Sequence, residues 1–73
     1  MFEKMKLKNA IKTTKKQIAE VESKRIRSQG ALVQAILEQK DPDDEDVEFC
    51  NKYTAEIDAL REKLEELQQQ LNG

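Results

Sequence analysis

Seven side chains in the second half of the chain, Cys50, Tyr53, Ile57, Leu60, Leu64, Leu67 and Leu71, are separated by steps of three and four residues in strict alternation. That spacing gathers all seven on one stripe of an α-helix, the a/d seam along which helices wind around one another. A strand, whose side chains alternate every two residues, would scatter them over both faces. The positions beside the stripe are polar (Thr54, Glu56, Arg61, Lys63, Gln68, Gln70), and strong helix formers dominate the segment. A helix over about 42–71 is therefore expected, with an apolar seam that needs a partner.

A first helix is expected over about 3–39. Leu7, Ile11, Thr14, Ile18 and Val21 take the same heptad steps, and continuing them reaches Arg25 and Ser28. The apolar stripe resumes one position later, at Ile26, Val33 and Ile36, with Leu32 and Leu37 widening it. The step of eight from Ile18 to Ile26 predicts a stutter, a local unwinding of the supercoil. Gly30 lies just beyond it. A glycine inside a helix costs about 1 kcal/mol against alanine, so close packing is expected there, with Tyr53 as the neighbour.

Between the helices, seven of the eleven residues from Glu38 to Glu48 are acidic. Asp41-Pro42 reads as an N-cap followed by a first-turn proline, whose missing N–H is no loss there. Asp43, Asp44, Glu45 and Asp46 then complement the helix dipole. Pro42 also disfavours helical geometry at Asp41, ending the first helix near Gln39 or Lys40. A turn as short as 40–42 implies antiparallel neighbours. Folding about residue 42–43 pairs Ile36 with Cys50, Val33 with Tyr53, Ile26 with Leu60, Ile18 with Leu67 and Thr14 with Leu71.

The predicted fold is all-α: a single domain over residues 1–73, an antiparallel, coiled-coil-like two-helix hairpin. Its expected packing residues are Ile11, Ile18, Ile26, Val33, Ile36, Cys50, Tyr53, Ile57, Leu60, Leu64, Leu67 and Leu71. Seventy-three residues give an unfavourable surface-to-volume ratio. With one Cys and no His, neither an internal disulfide nor a Cys/His zinc site is available to staple the fold. Partner helices are the expected staple, with two hairpins forming an antiparallel homodimeric four-helix bundle. In that arrangement Met1, Phe2 and Met5 would cover Leu37, Val47 and Phe49.

Charge supports this orientation. Residues 1–27 carry nine Lys/Arg and three acidic residues, a net charge of +6, while residues 28–73 carry four basic and twelve acidic residues, a net −8. An antiparallel dimer sets each basic arm near the partner's acidic turn. On a helical wheel Lys4, Lys8, Lys12, Lys15 and Lys16 fall within about 120° of one another. Such a stripe suits an anionic partner: the acidic turn of another subunit, an unknown protein, or nucleic acid through its phosphates. Base-specific readout is not expected, because the arm has few aromatics and its Arg residues come later. A membrane surface is the least expected partner, although Phe2 and Met5 offer anchors.

Other chemistry finds little support. Asp41, Asp43 and Glu45 match positions 1, 3 and 5 of a calcium loop, but Asp46 replaces its glycine and Lys52 its bidentate Glu. Cys50 lies on the seam, where a free thiol behaves as a small hydrophobe, and no His exists to activate it. No phosphate loop or catalytic triad is present, and the carboxylates lie on solvated helix faces. A non-enzymatic protein without cofactor or metal is expected. No apolar run approaches the roughly 20 residues of a membrane span, no secretory signal is apparent at the N-terminus, and the single thiol suits the cytoplasm.

The plan resembles the plasmid repressor-of-primer (Rop) proteins: a short chain, an acidic turn, a cysteine soon after it, and Arg27-Ser28-Gln29 midway along the first helix. The resemblance covers about residues 25–53. It implies an antiparallel four-helix bundle whose first helices bind paired RNA loops. This chain departs from that pattern by a longer basic arm and by lacking an aromatic in the middle of its first helix, so no binding residue is carried over. The expected function is protein–protein assembly or regulation as a homodimeric bundle, with a nucleic-acid-binding regulator as the alternative.

Overall fold

The computed structural model describes residues 2–73, with side chains from Glu3 onward. It is all-helical: α1 (Phe2–Leu37) and α2 (Asp44–Asn72) pack along each other as a rod of 57 × 15 × 14 Å. The α2 seam is where the heptad steps put it. Ile57 is buried with 1 % of its surface exposed, and Cys50, Tyr53, Leu60, Leu64, Leu67 and Leu71 are half-buried.

The first helix departs from expectation in one respect that shapes everything else. Its seam does not stutter. Apart from Ala10 and Glu22 beside it, the buried and half-buried positions run Leu7, Ile11, Thr14, Ile18, Val21, Arg25, Ser28, Leu32 and Ala35, an unbroken series of heptad steps. Ile26, Val33 and Ile36 lie off it. The reason is that α2 has no matching irregularity: a helix wound against a strictly heptad partner keeps its own heptad phase, because unwinding one helix alone would rotate its remaining seam out of contact. A polar residue on the seam is the cheaper compromise. Ser28 is small, and Arg25 is half-buried, with a long aliphatic stem that tolerates an apolar seam. Thr14, almost wholly buried, satisfies its hydroxyl by donating to Ala10 O at 2.7 Å.

Arg25 is not fully accommodated. Its Nε is buried with no hydrogen-bond partner among the described residues. A desolvated donor left unmade costs about 1–3 kcal/mol. Arg25→Leu is therefore expected to raise thermal stability, by about 1 kcal/mol after the lost charge and stem contacts are set against the gain. A lowered melting temperature would show that the guanidinium is needed where it stands.

The register also differs, by about one helical turn. Val21 and Leu60 line one groove, Ile11 and Leu71 another, and Arg61 Nη2 donates to Glu22 Oε1 at 3.0 Å. Heptad spacing then sets Ile18 opposite Leu64, and Arg25 opposite Ile57, in place of Ile18 opposite Leu67 and Ile26 opposite Leu60. The turn is responsible. It spans 38–43, and its centre lies one to two residues before the position expected from Pro42.

Both ends of that turn are set by backbone geometry. Helix α1 closes with a Schellman motif: Lys40 N donates to Ala35 O at 2.9 Å and Gln39 N to Ile36 O at 3.0 Å. Gln39 adopts φ 58°, the left-handed conformation normally given to glycine. Helix α2 starts two residues later than Asp41-Pro42 suggested. Its N-cap is Asp43, extended at φ −66° and ψ 130°, which accepts from Val47 N through its backbone carbonyl and makes no side-chain cap bond. Crossing the 8–10 Å between packed helix axes needs those extra residues. Because Gln39 carries a Cβ in the left-handed region, Gln39→Gly is expected to stabilise the hairpin by about 0.5–1 kcal/mol, read as a higher denaturation midpoint. An unchanged or lower midpoint would mean that Gln39 has a compensating contact.

Gly30 does not pack against Tyr53. A Cβ built on it meets nothing within 4 Å, so it faces open space. Tyr53 instead stacks on Phe49, with ring centroids 6.0 Å apart and planes 13° from parallel. Of the residues expected to cover the turn end, Met5 is exposed, while Met1 and the side chain of Phe2 lie outside the described residues.

Candidate interaction face

The hairpin buries little by itself. Among the described residues only Ile11 and Ile57 reach the level of an apolar core, and several large apolar side chains remain in water. Ile26 is 62 % exposed, Val33 54 %, Ile36 65 % and Leu37 72 %. At 100° per residue, Ile26, Val33 and Leu37 share one narrow face of α1, with Ile36 on its edge towards α2. Gly30 lies on the same face, four residues after Ile26 and three before Val33.

The patch continues onto α2. Ile36 stands two heptads beyond Glu22, and Val47 two heptads before Arg61, so both lie on the flank marked by the Glu22–Arg61 ion pair, nearer the turn. Val47 is exposed as well. The outer strip of α1 from Ile26 to Leu37 is thus apolar, and Ile36 and Val47 widen it next to the turn. Phe49, one heptad from Glu56, lies on the opposite flank and leans on Tyr53.

The lysines expected to meet an anionic partner belong to this same surface. Lys4, Lys8, Lys12, Lys15 and Lys16 are all exposed, and among the described residues none forms an ion pair. Their arc of about 120° on the α1 wheel contains Ile26, Gly30, Val33 and Leu37 too. The outer face of α1 is therefore basic over its first half and apolar over its second. The two halves look unrelated in the sequence as long as Ile26 and Val33 are placed on the intrachain seam. Extending the lysine arc past residue 16 would have found the continuity.

The acidic turn carries its charge at the other end of the rod. Asp41, Asp43, Asp44 and Glu45 are exposed and Asp46 is half-buried. Glu38 spends part of its charge locally, with Oε2 3.5 Å from Lys40 Nζ and Oε1 accepting from Gln34 Nε2 at 3.1 Å. Such exposed pairs contribute about 0–1 kcal/mol each. Among the described residues, no group of three or more His, Cys, Asp or Glu side chains is arranged to hold a metal ion. Cys50 is a free, half-buried thiol on the seam, and Thr54 Oγ1 donates to its carbonyl at 2.9 Å. No described helix is long and apolar enough to cross a membrane.

Comparison of the chain with protein-family models, with curated proteins and with solved structures found no match. The likeness to Rop proteins accordingly rests on the hairpin plan and the residues quoted above.

Proposed function

We propose that this chain is a small assembly or regulatory protein that works as a homodimer of helical hairpins and carries out no catalysis. One observation carries the reading: the apolar half of the outer α1 face, from Ile26 to Leu37, is more than half exposed in a chain whose own core is slight. A contiguous apolar surface flanked by charge marks an association site. A domain of this size gains most of its stability from whatever covers that surface. Sedimentation velocity at micromolar concentration, combined with circular dichroism, tests it. A helical dimer is expected, and a folded monomer would overturn the reading.

A second reading is supported by the five exposed lysines, which have no acidic partner within the described chain. As a nucleic-acid-binding regulator, the protein would use the first half of α1 against phosphates. Affinity for RNA or DNA would then fall steeply with salt, by about 0.7–0.9 log units of affinity per log unit of salt for each phosphate neutralised. No binding at low salt would remove this alternative.

A further inference from the structure

We infer that the homodimer is offset: two hairpins cross antiparallel at Gly30 on the outer face of α1, overlapping at their turn-proximal halves. This rests on the dimeric reading above and specifies which surface is buried and in what register.

Three features of the face point to a second copy as the occupant. The first is self-complementarity. A two-fold axis at Gly30 sets residues whose numbers sum to about 60 opposite one another, so Ile26 meets the partner's Val33 and the reverse. The stretch from Ile26 to Val33 then covers its own copy. A fully overlapped pair, with the axis near Ala19 at the middle of α1, would instead lay Ile26 over the partner's Lys12 and hold it away from the partner's Val33.

The second is Gly30 itself. It is the only described glycine inside a helix, its position is open to solvent, and it sits at the centre of the stripe. There an alanine would be about 1 kcal/mol better for the isolated helix. Absence of a Cβ at a crossing point lets two helix backbones approach, as small residues do in closely packed helix pairs.

The third is charge. With the axis at Gly30, the partner's turn lies alongside residues 19–22. At 1.5 Å per residue it is ~6 Å from Lys15 and Lys16, within reach of their side chains. The turn presents Asp41, Asp43, Asp44 and Glu45, all exposed. The two-fold axis makes this contact twice. The complementarity selects the antiparallel orientation, since a parallel pair would set turn against turn.

Cysteine cross-linking tests the register. In a Cys50→Ser background, Gly30→Cys and Ala19→Cys are prepared separately, their oligomeric state is measured by sedimentation under reducing conditions, and each is then oxidised. Dimerisation with cross-linking through residue 30 and not residue 19 is expected. A dimer that cross-links through residue 19, or through neither, overturns the offset register and leaves the dimeric reading standing. A monomeric Cys50→Ser protein, with Gly30 intact, overturns both. Because Gly30→Cys adds a Cβ at the crossing, X-ray scattering of the Cys50→Ser protein gives a second measurement. From the 57 Å length of one hairpin, an offset dimer should reach a maximum dimension of ~80 Å, whereas full overlap stays near the length of one rod. Charge reversal at Lys15 and Lys16 together is expected to raise the dimer Kd about tenfold at low ionic strength, with the effect shrinking at high salt. Equal affinity at both salts would remove the lysine–turn contact.

Discussion

Ile57→Lys is expected to unfold the protein. Ile57 has 1 % of its surface exposed, the least of the apolar residues described, and it lies midway along the α2 seam. Truncating a buried isoleucine to alanine already costs about 2–5 kcal/mol. A lysine adds a charge in a place where water is excluded, and heptad spacing sets it opposite Arg25, so its nearest counterpart has the same sign. Long side chains recover only part of that by reaching solvent. Typical domains are stable by only about 5–15 kcal/mol, and a hairpin with so slight a core belongs at the lower end. Loss of the 222 nm circular dichroism signal at 25 °C is expected. Leu64→Lys, on the same seam and half-buried, should act in the same direction, and Asp44→Ala, in the exposed first turn of α2, should cost no more than about 0.5 kcal/mol. A variant at Ile57 that melts within a few degrees of the parent would overturn the seam described for α2.

Val33→Lys and Ile26→Lys are expected to do something different: to leave the hairpin helical and abolish the dimer. Both residues are more than half exposed on one chain, so a lysine there displaces little within the hairpin. Between two copies each would set a charge in the middle of the shared apolar face, twice over because of the two-fold axis. Removing apolar contact and adding like charge on both sides costs several kcal/mol of association, about a hundredfold or more in Kd. The measurements are sedimentation for association and circular dichroism at high protein concentration for helix content. A dimer that survives both substitutions would show that this face is not the interface. Unfolding at all concentrations would mean that Ile26 and Val33 belong to the hairpin core after all.

The contrast between these two sites also shows how far the sequence could be read. In α2, residues such as Leu64 and Leu67 have no competing apolar neighbour one position away, so periodicity had a single solution and the structure follows it. In α1, two stripes coexist after residue 21: a polar-tolerant heptad line through Arg25, Ser28, Leu32 and Ala35, and a more apolar line through Ile26, Val33 and Ile36. Hydrophobicity alone favours the second. The structure takes the first because phase matching with α2 outweighs the gain from three better residues, and the more apolar line faces outwards. The turn shows the same division. Pro42 and the acidic run announced a helix boundary, but Gln39 in the left-handed region and the N-cap at Asp43 were not visible, since glutamine carries no signal for that conformation and any of Asp41, Asp43 and Asp44 offers a cap.

The amino-acid pattern makes this protein two helices joined by an acidic turn. It determined the α2 seam, because heptad spacing and helix propensity act locally and agree there. It also determined the separation of charge between a basic arm and an acidic remainder. Which of two stripes on α1 turns inwards, the register of the hairpin, and the exposure of Ile26, Val33, Ile36 and Leu37 follow from the packing of one helix on the other. Those depend on how one helix constrains the phase of another and on how many residues the turn consumes, and neither quantity is stored at any single position of the chain.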